Sequence, residues 1–311
     1  MLFMEIINID DSFHFNSGIA ATIGFFDGVH SGHRFLLSQL KSLASLNNLP
    51  ASVITFPEHP KLILQTGFKP DLLTTLNEKI QQLESTGIDY CFLLNFSQSV
   101  SQTSAEEFIQ NFLRKQLNVR LLLIGYDHRF GKNRAEGFED YVKYGEECGM
   151  KVIRASELPN TEMPVSSTSI RNKLLNGYLE EANKMLSYNY PIEGIVVAGN
   201  KLGRQIGFPT ANLELTDKNK VIPSDGIYAA WVYIGDNIYH GMAYIGTRPT
   251  VTSEGNRRIE VHILDFTGDL YGKTIRLELV KLLREDQHFN NLEELKRQLI
   301  IDKENTIKTL L

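Results

Sequence analysis

Residues 19–33 read IAATIGFFDGVHSGH, and the change of character within this stretch decides the fold of the first half of the chain. Ile19–Phe25 is an apolar run of strand length. A polar, glycine-bearing turn follows, and Leu36, Leu40, Leu43 and Ala44 then recur at helical spacing. The pattern repeats downstream. Val53–Phe56, Tyr90–Leu94, Leu121–Ile124 and Lys151–Arg154 are further short apolar runs. Thr75 with Glu78 forms a capping box ahead of Leu76, Ile80 and Leu83, and Ser104 with Glu107 does so ahead of Phe108, Phe112 and Leu113. Strands alternating with helices predict an α/β unit whose parallel sheet is covered on both faces.

The period changes near Ser187. Pro191–Ala198, Gly226–Ile234, Ile238–Ile245, Arg257–Asp265 and Thr274–Leu283 read as strands separated by Gly, Asn, Asp and Pro, and Gly235-Asp236-Asn237 has the composition of a hairpin turn. Five strands with short connections predict a small closed antiparallel barrel. A terminal helix follows, with Leu292, Leu295, Leu299 and Ile300 on one stripe. The expected architecture is therefore α/β plus β, with domains over 1–186 and 187–311.

A chain of 311 residues is long for one core, which agrees with two domains. Hydrophobic residues make up 42% and charged residues 22%, the balance of a globular protein rather than a disordered one. The net charge of −5 argues against a nucleic-acid partner, though a local basic pocket for ATP is compatible with it. No apolar run reaches the length of a membrane span, and the opening MLFMEIINIDD lacks the pattern of a signal peptide. A cytoplasmic protein with no membrane partner is expected. Cys91 and Cys148 are too few for a disulfide framework or a Cys-rich zinc site.

Two stretches carry chemistry. Gly24-Phe25-Phe26-Asp27-Gly28-Val29-His30-Ser31-Gly32-His33 lies between a strand and a helix, where parallel sheets bind ligands and a helix start offers N–H groups to an anion. Glycines let phosphate approach the backbone, and His30 and His33 can stabilise charge as pyrophosphate leaves. The plain alternative is a polar turn whose histidines cap the helix; zinc is a weak rival without a third ligand nearby. The second stretch is Gly199-Asn200-Lys201-Leu202-Gly203-Arg204-Gln205-Ile206-Gly207-Phe208-Pro209-Thr210-Ala211-Asn212-Leu213. It is neither a Walker A loop nor a dinucleotide fingerprint, and its glycines alone describe a mobile loop. Thr210 and Asn212, however, present a hydroxyl and an amide oxygen two residues apart on a rigid turn, a donor pair that suits Mg²⁺ carrying ATP phosphates.

The first stretch resembles the HxGH signature of the nucleotidylyltransferase superfamily, in the longer G-F-D-G-x-H-x-G-H form of bacterial bifunctional riboflavin kinase/FAD synthetases. Gly125-Tyr126-Asp127-His128-Arg129-Phe130-Gly131 resembles the G-x-D-F-R-F-G run of that family, with His128 where Phe is usual. Val165-Ser166-Ser167-Thr168-Ser169-Ile170-Arg171 resembles its S-S-T-x-I-R motif, and Phe56-Pro57-Glu58-His59-Pro60 is a looser match to a further segment. The resemblance implies a Rossmann-like nucleotidylyltransferase sheet. It implies ATP-phosphate contacts from Gly24, Phe25, Asp27, Gly28, Gly32, Ser167, Thr168 and Arg171, and flavin contact from Asp127. On their own, Ser167 or Thr168 reads better as a helix N-cap.

The second stretch is similar to the G-x-x-x-G-R-x-I-G-F-P-T-A-N-L motif of riboflavin kinases. This implies ATP contacts from Gly199, Lys201, Gly203 and Arg204 and metal binding by Thr210 and Asn212. Gly226-Ile227-Tyr228-Ala229 and Ile245-Gly246-Thr247-Arg248-Pro249-Thr250 resemble other kinase segments, with Tyr244 where Asn is expected. Glu260-Val261-His262-Ile263-Leu264-Asp265-Phe266 resembles E-x-H-I-x-D-F. Alternation puts Ile259, Val261 and Ile263 on one face and Arg258, Glu260 and His262 on the other. Without the flanking motif this is a surface strand with a solvated Glu; with the resemblance, Glu260 is the candidate base. Leu283-Arg284-Glu285-Asp286-Gln287-His288-Phe289 implies flavin contact from Arg284 and Phe289; a helix-start charge cluster is the alternative. The implied partners are ATP, riboflavin, FMN and FAD, with Mg²⁺ at both sites and flavins as substrate and product. Two rivals remain: a nucleotidylyltransferase for another acceptor, such as a phosphopantetheine or nicotinamide mononucleotide, and a flavin-sensing protein built on a decayed enzyme.

Overall fold

The computed structural model describes residues 4–10, 12–65, 67, 69–126, 128–132, 135–159, 165–199, 202–247 and 257–311. The chain forms two compact units, Met1–Ser166 and Ser167–Leu311.

In the first unit, strands β1 (Glu5–Ile9), β2 (Ile19–Ile23), β3 (Ala51–Thr55), β4 (Tyr90–Leu94), β5 (Val119–Ile124) and β6 (Lys151–Arg154) form one sheet in the order β1-β4-β3-β2-β5-β6. Every pairing is parallel. β2 and β3 are buried along their whole length, because apolar side chains cover both faces. Ile19, Ala21, Ile54 and Phe92 pack on one side. Ala20, Val53 and Cys91 pack on the other, beneath Leu37, Leu40 and Ala44 of the helix Ser31–Leu46. β1 is not anticipated by the sequence pattern. It is an edge strand, mostly exposed, and lacks the continuous apolar run that marks its neighbours.

The second unit is a closed antiparallel barrel of β7 (Tyr190–Val197), β8 (Ala211–Leu215), β9 (Gly226–Ile234), β10 (Asn237–Thr247), β11 (Arg257–Ile263) and β12 (Thr274–Arg284), in the order β10-β11-β8-β7-β12-β9. The sequence predicts five strands; the sixth is β8. It is short, begins two residues after Pro209, and lies inside the stretch whose glycines suggest a loop. It closes the barrel by pairing with β7 and β11. The helices Ser167–Leu175 and Leu179–Leu186 belong to this unit, so compactness divides the chain ahead of the change of period at Ser187. Leu179, Ala182 and Leu186 are buried, and Asn183 ties the helix to the barrel by donating to the Leu279 carbonyl (2.8 Å) and accepting from the Tyr190 N–H (2.9 Å). The terminal helix Leu292–Leu310 is joined to β12 through Arg284 and Asp302.

Candidate functional site

In the first unit the strand order reverses between β2 and β5, which leaves a crevice beyond their carboxyl ends. The turn after β2 occupies that place. Phe26, Gly28 and Val29 have φ of 55°, 79° and 37°, a conformation that is strained for the two non-glycine residues and persists only where packing holds it. Asp27 is buried, and its Oδ1 accepts from the backbone N–H groups of Leu73 (2.9 Å) and Thr74 (3.2 Å). The Gly28 N–H donates to Thr74 Oγ1 (3.1 Å), and Thr55 Oγ1 donates to the Phe25 carbonyl (3.2 Å). The Asp27 carboxylate is thus turned onto the scaffold of the turn. Through Oδ1 it shapes the loop.

The turn delivers two imidazoles to the start of the helix Ser31–Leu46. His30 is the N-cap: its Nδ1 accepts from the His33 N–H (3.3 Å). The two rings stack with centroids 3.7 Å apart and planes 16° from parallel. Gly32 makes this possible, since a Cβ there would press on the His30 ring at 3.3 Å. Burial pushes His30 down to about 4. Burial, and then the neighbouring His30 and His128, hold His33 well below the ordinary histidine value. Both rings are therefore neutral at pH 7. With its Nδ1 accepting, His30 carries its proton on Nε2 and offers an N–H to an anion at a helix start. His33 Nδ1 is buried with no hydrogen-bond partner among the described residues, the condition of a polar group that a ligand satisfies. The turn after β5 lies alongside. The His128 N–H donates to the Gly125 carbonyl (3.1 Å), and a Cβ on Gly125 would come within 3.9 Å of Leu36, one helical turn beyond His33. Among the described residues no group of three His, Cys, Asp or Glu side chains is placed to hold a metal.

The barrel site is set by register. Asn212 on β8 pairs with Glu260 on β11, and Glu260 pairs with Tyr244 on β10. Directly opposed residues share a face, so three polar side chains from adjacent strands stand in one row. Thr210 Oγ1 donates to Glu260 Oε2 (3.1 Å), which leaves the hydroxyl lone pairs for a cation. A Cβ on Gly199 would collide with the Asn212 side chain, and one on Gly203 with the Phe208 carbonyl, so close approach demands both glycines. Tyr244 donates to Asp286 Oδ2 (3.0 Å) and is pushed up to about 12, by burial first and then by Asp286. At the position where the resemblance leads one to expect Asn, a permanent donor therefore stands beside the base candidate.

Arg284 has its guanidinium engaged by Asp302, with Nε 3.1 Å from both carboxylate oxygens and Nη2 2.8 Å from Oδ2, while its Cζ lies 5.6 Å from the centre of the Phe289 ring. It clamps the terminal helix to β12. Ser167, Thr168 and Arg171 lie on the first turns of the helix Ser167–Leu175, in the second unit, with Arg171 Nη1 donating to Thr168 Oγ1 (3.5 Å). Arg204 is exposed on a short helical turn, Leu202–Gln205, where a loop is expected. Asp127, Lys201, Arg248, Pro249 and Thr250 lie outside the described residues. Two contributors are missing from the sequence reading. His262, 8% exposed, sets its Nδ1 2.8 Å from the Pro209 carbonyl and so braces Thr210; its position two residues from Glu260 on the same strand face is the signal. Thr74 grips the first turn from 46 residues away, a distance no local pattern spans.

Residues 12–169 match the family described as FAD synthetase, and residues 186–310 match the family described as riboflavin kinase. The bifunctional riboflavin kinase/FMN adenylyltransferase of Escherichia coli (strain K12) is 39% identical over 287 residues, which cover 92% of this chain and 91% of that protein. The protein of the same name from Bacillus subtilis (strain 168) is 34% identical over 292 residues, 92% of this chain and 90% of that protein. A crystal structure described as a macrolide-efflux protein from Streptococcus pneumoniae is 33% identical and superposes with a TM-score of 0.89, covering 97% of this chain and 99% of that one. Efflux is said of that protein alone; among the described residues here, no helix is long and apolar enough to cross a membrane. With both of its halves matched in order and relatives of one name aligned along most of its length, the chain belongs to the bifunctional riboflavin kinase/FMN adenylyltransferase family.

Proposed function

We propose that the two activities of this family are divided between the two sites, with Thr210, Asn212 and Glu260 serving the kinase step and His30 and His33 serving adenylyl transfer. The chain is a riboflavin kinase and an FMN adenylyltransferase. In the first reaction the terminal ribityl hydroxyl of riboflavin attacks the γ-phosphorus of ATP, the bond to the β-phosphate oxygen breaks, ADP leaves, and Glu260 takes the hydroxyl proton. In the second, an FMN phosphate oxygen attacks the α-phosphorus of ATP and pyrophosphate leaves. Neutral imidazole N–H groups and the helix start meet the charge that accumulates on the departing phosphates.

The observation that carries the kinase assignment is the register that sets Asn212 opposite Glu260, with Thr210 bonded to the same carboxylate. Hard neutral oxygens beside a carboxylate fit Mg²⁺ that arrives with ATP and keeps phosphate and water among its ligands. Thr210 and Asn212 would hold that ion, which neutralises charge on the transferring phosphoryl group. By resemblance, Gly199, Lys201, Gly203 and Arg204 would contact ATP here, and Arg284 with Phe289 would line the flavin. Ser167, Thr168 and Arg171 would serve ATP phosphates in adenylyl transfer, with Asp127 toward the flavin. Functional limits of 1–186 and 187–311 and a cytoplasmic location accompany this reading. Incubating the protein with riboflavin, ATP and Mg²⁺ and separating the products should show FMN appearing before FAD, with both lost on chelation. FAD formed from riboflavin in a metal-chelated sample would overturn the metal assignment.

A further inference from the structure

Lys79 lies beneath the turn that bears His30 and His33. It is 2% exposed. Its Nζ donates to the Phe56 carbonyl (2.7 Å) and the Phe25 carbonyl (3.3 Å) and sits 4.3 Å from the centre of the Phe25 ring. Those carbonyls belong to the segments leaving β3 and β2, so one ammonium joins the carboxyl ends of two neighbouring strands. The helix that carries Lys79, Leu76–Glu84, is anchored by the Thr75–Glu78 capping box. Leu73 and Thr74, just ahead of that helix, hold Asp27 and Gly28. A single segment therefore grips the turn at both shoulders, through Thr74 on one side and Lys79 on the other. Burying an ammonium is costly, and this one is offset by two backbone carbonyls of the turn's own flanks, which couples the charge to the position of the turn.

We infer that Lys79 is a positioning residue for adenylyl transfer: its ammonium, held between the Phe25 and Phe56 carbonyls, fixes the Gly24–His33 turn where His30 and His33 meet the ATP phosphates. This rests on the assignment of that turn as the adenylyl-transfer site. The groups facing Lys79 are Asp27 from the turn, Cys91 from β4 and, across the Phe25 ring at 4.7 Å, His59 from the segment after β3; Glu78 on its own helix faces the Thr75 N–H. Burial pushes Lys79 down to about 8, with Asp27 and then Cys91 opposing the shift. Burial pushes Cys91 up to about 11, so that thiol stays neutral where Lys79 titrates. As pH rises through about 8 the charge-assisted bonds become neutral ones and weaken. Stability moves the other way. The folded value lies below the 10.5 of an ordinary lysine, so between the two the unfolded chain binds more protons and this group favours folding increasingly as pH rises. Adenylyl transfer thus declines where the contribution of this residue to stability grows, a combination that a merely structural lysine would not produce.

The test uses the full chain, with FAD formation from FMN, FMN formation from riboflavin, and thermal unfolding followed between roughly pH 6 and 10 for wild type, Lys79→Met and Lys79→Arg. Wild type should show an alkaline limb near 8 in FAD formation and none in FMN formation. Lys79→Met should lower kcat for FAD formation about 10- to 100-fold, the cost of a small misplacement of reacting groups, and abolish the limb. Lys79→Arg, charged throughout, should restore part of the rate and also lack the limb. Wild-type kcat in Lys79→Met, a limb that persists in it, or equal loss of both activities would overturn the inference. His30→Ala with His33→Ala separates the two failures. If that variant still makes FAD, the site assignment fails; if it does not and Lys79→Met does so normally, only the role of Lys79 fails.

Discussion

In the first unit the proposed reacting groups hang on a turn, and in the second they stand on strands or just ahead of one. His30 and His33 lie beyond the end of β2 and are placed by contacts that run through Asp27, Thr74 and Lys79 to another segment. Asn212 and Glu260 are placed by the β8–β11 ladder itself, and Thr210, just ahead of β8, is bonded to Glu260. The contrast follows from the sheets. β2 and β3 are buried on both faces, so their side chains reach no ligand, and chemistry moves to the strand ends. An antiparallel barrel keeps one face of each strand for other uses, so a row such as Tyr244–Glu260–Asn212 can itself be a site. The electrostatics differ accordingly. Enclosure makes the imidazoles neutral donors, whereas the barrel row sets hydroxyl and amide oxygens beside a carboxylate.

The comparison breaks most sharply at Glu260. Glu260→Gln keeps size and hydrogen bonding but not basicity, so kcat for FMN formation should fall roughly 10²–10⁴-fold. Riboflavin binding and FAD formation from supplied FMN should stay near wild type; normal kinase turnover would remove Glu260 from the chemistry. Next in size is the histidine pair. His30→Ala with His33→Ala should cost on the order of 10²–10³ in FAD formation, the range for one lost transition-state donor, or more, while FMN formation continues. Equal loss of both activities would mean that the sites are not separate.

The smallest effect sharpens the boundary between the two regions. A fragment 167–311 should fold and make FMN without FAD, whereas 188–311 should be less stable by about 3 kcal/mol in urea unfolding, since it loses the burial of Leu179 and Leu186 against the barrel. Equal stability of the two fragments would show that the helix Leu179–Leu186 adds nothing to the barrel.

Legibility followed the range of the interactions. The capping boxes at Thr75–Glu78 and Ser104–Glu107 were readable because both partners lie three residues apart, and both form. The outward face of Glu260 was readable from strand alternation, and that residue is half-buried between buried Ile259 and Val261. β8 was not, because its five residues come just after a proline, in a glycine-rich stretch, and one of its two partners, β11, lies nearly 50 residues on. Nor was the engagement of Arg284 by Asp302, 18 residues on, which ties the terminal helix to β12.

From the sequence alone came the two architectures, their order, and the residue types able to handle phosphate and metal, because periodicity, caps and motif spacing are local properties of the chain. Tertiary structure alone decided which of those residues meet and in what state. Thr210 reaches Glu260 across 50 residues, Asp27 reaches Leu73 across 46, and Lys79 reaches Phe25 across 54. The neutrality of His30 and His33 arises from burial that only the assembled turn supplies. Long-range contacts of this kind carry no local signature, since each partner is an ordinary residue until the fold brings the other beside it.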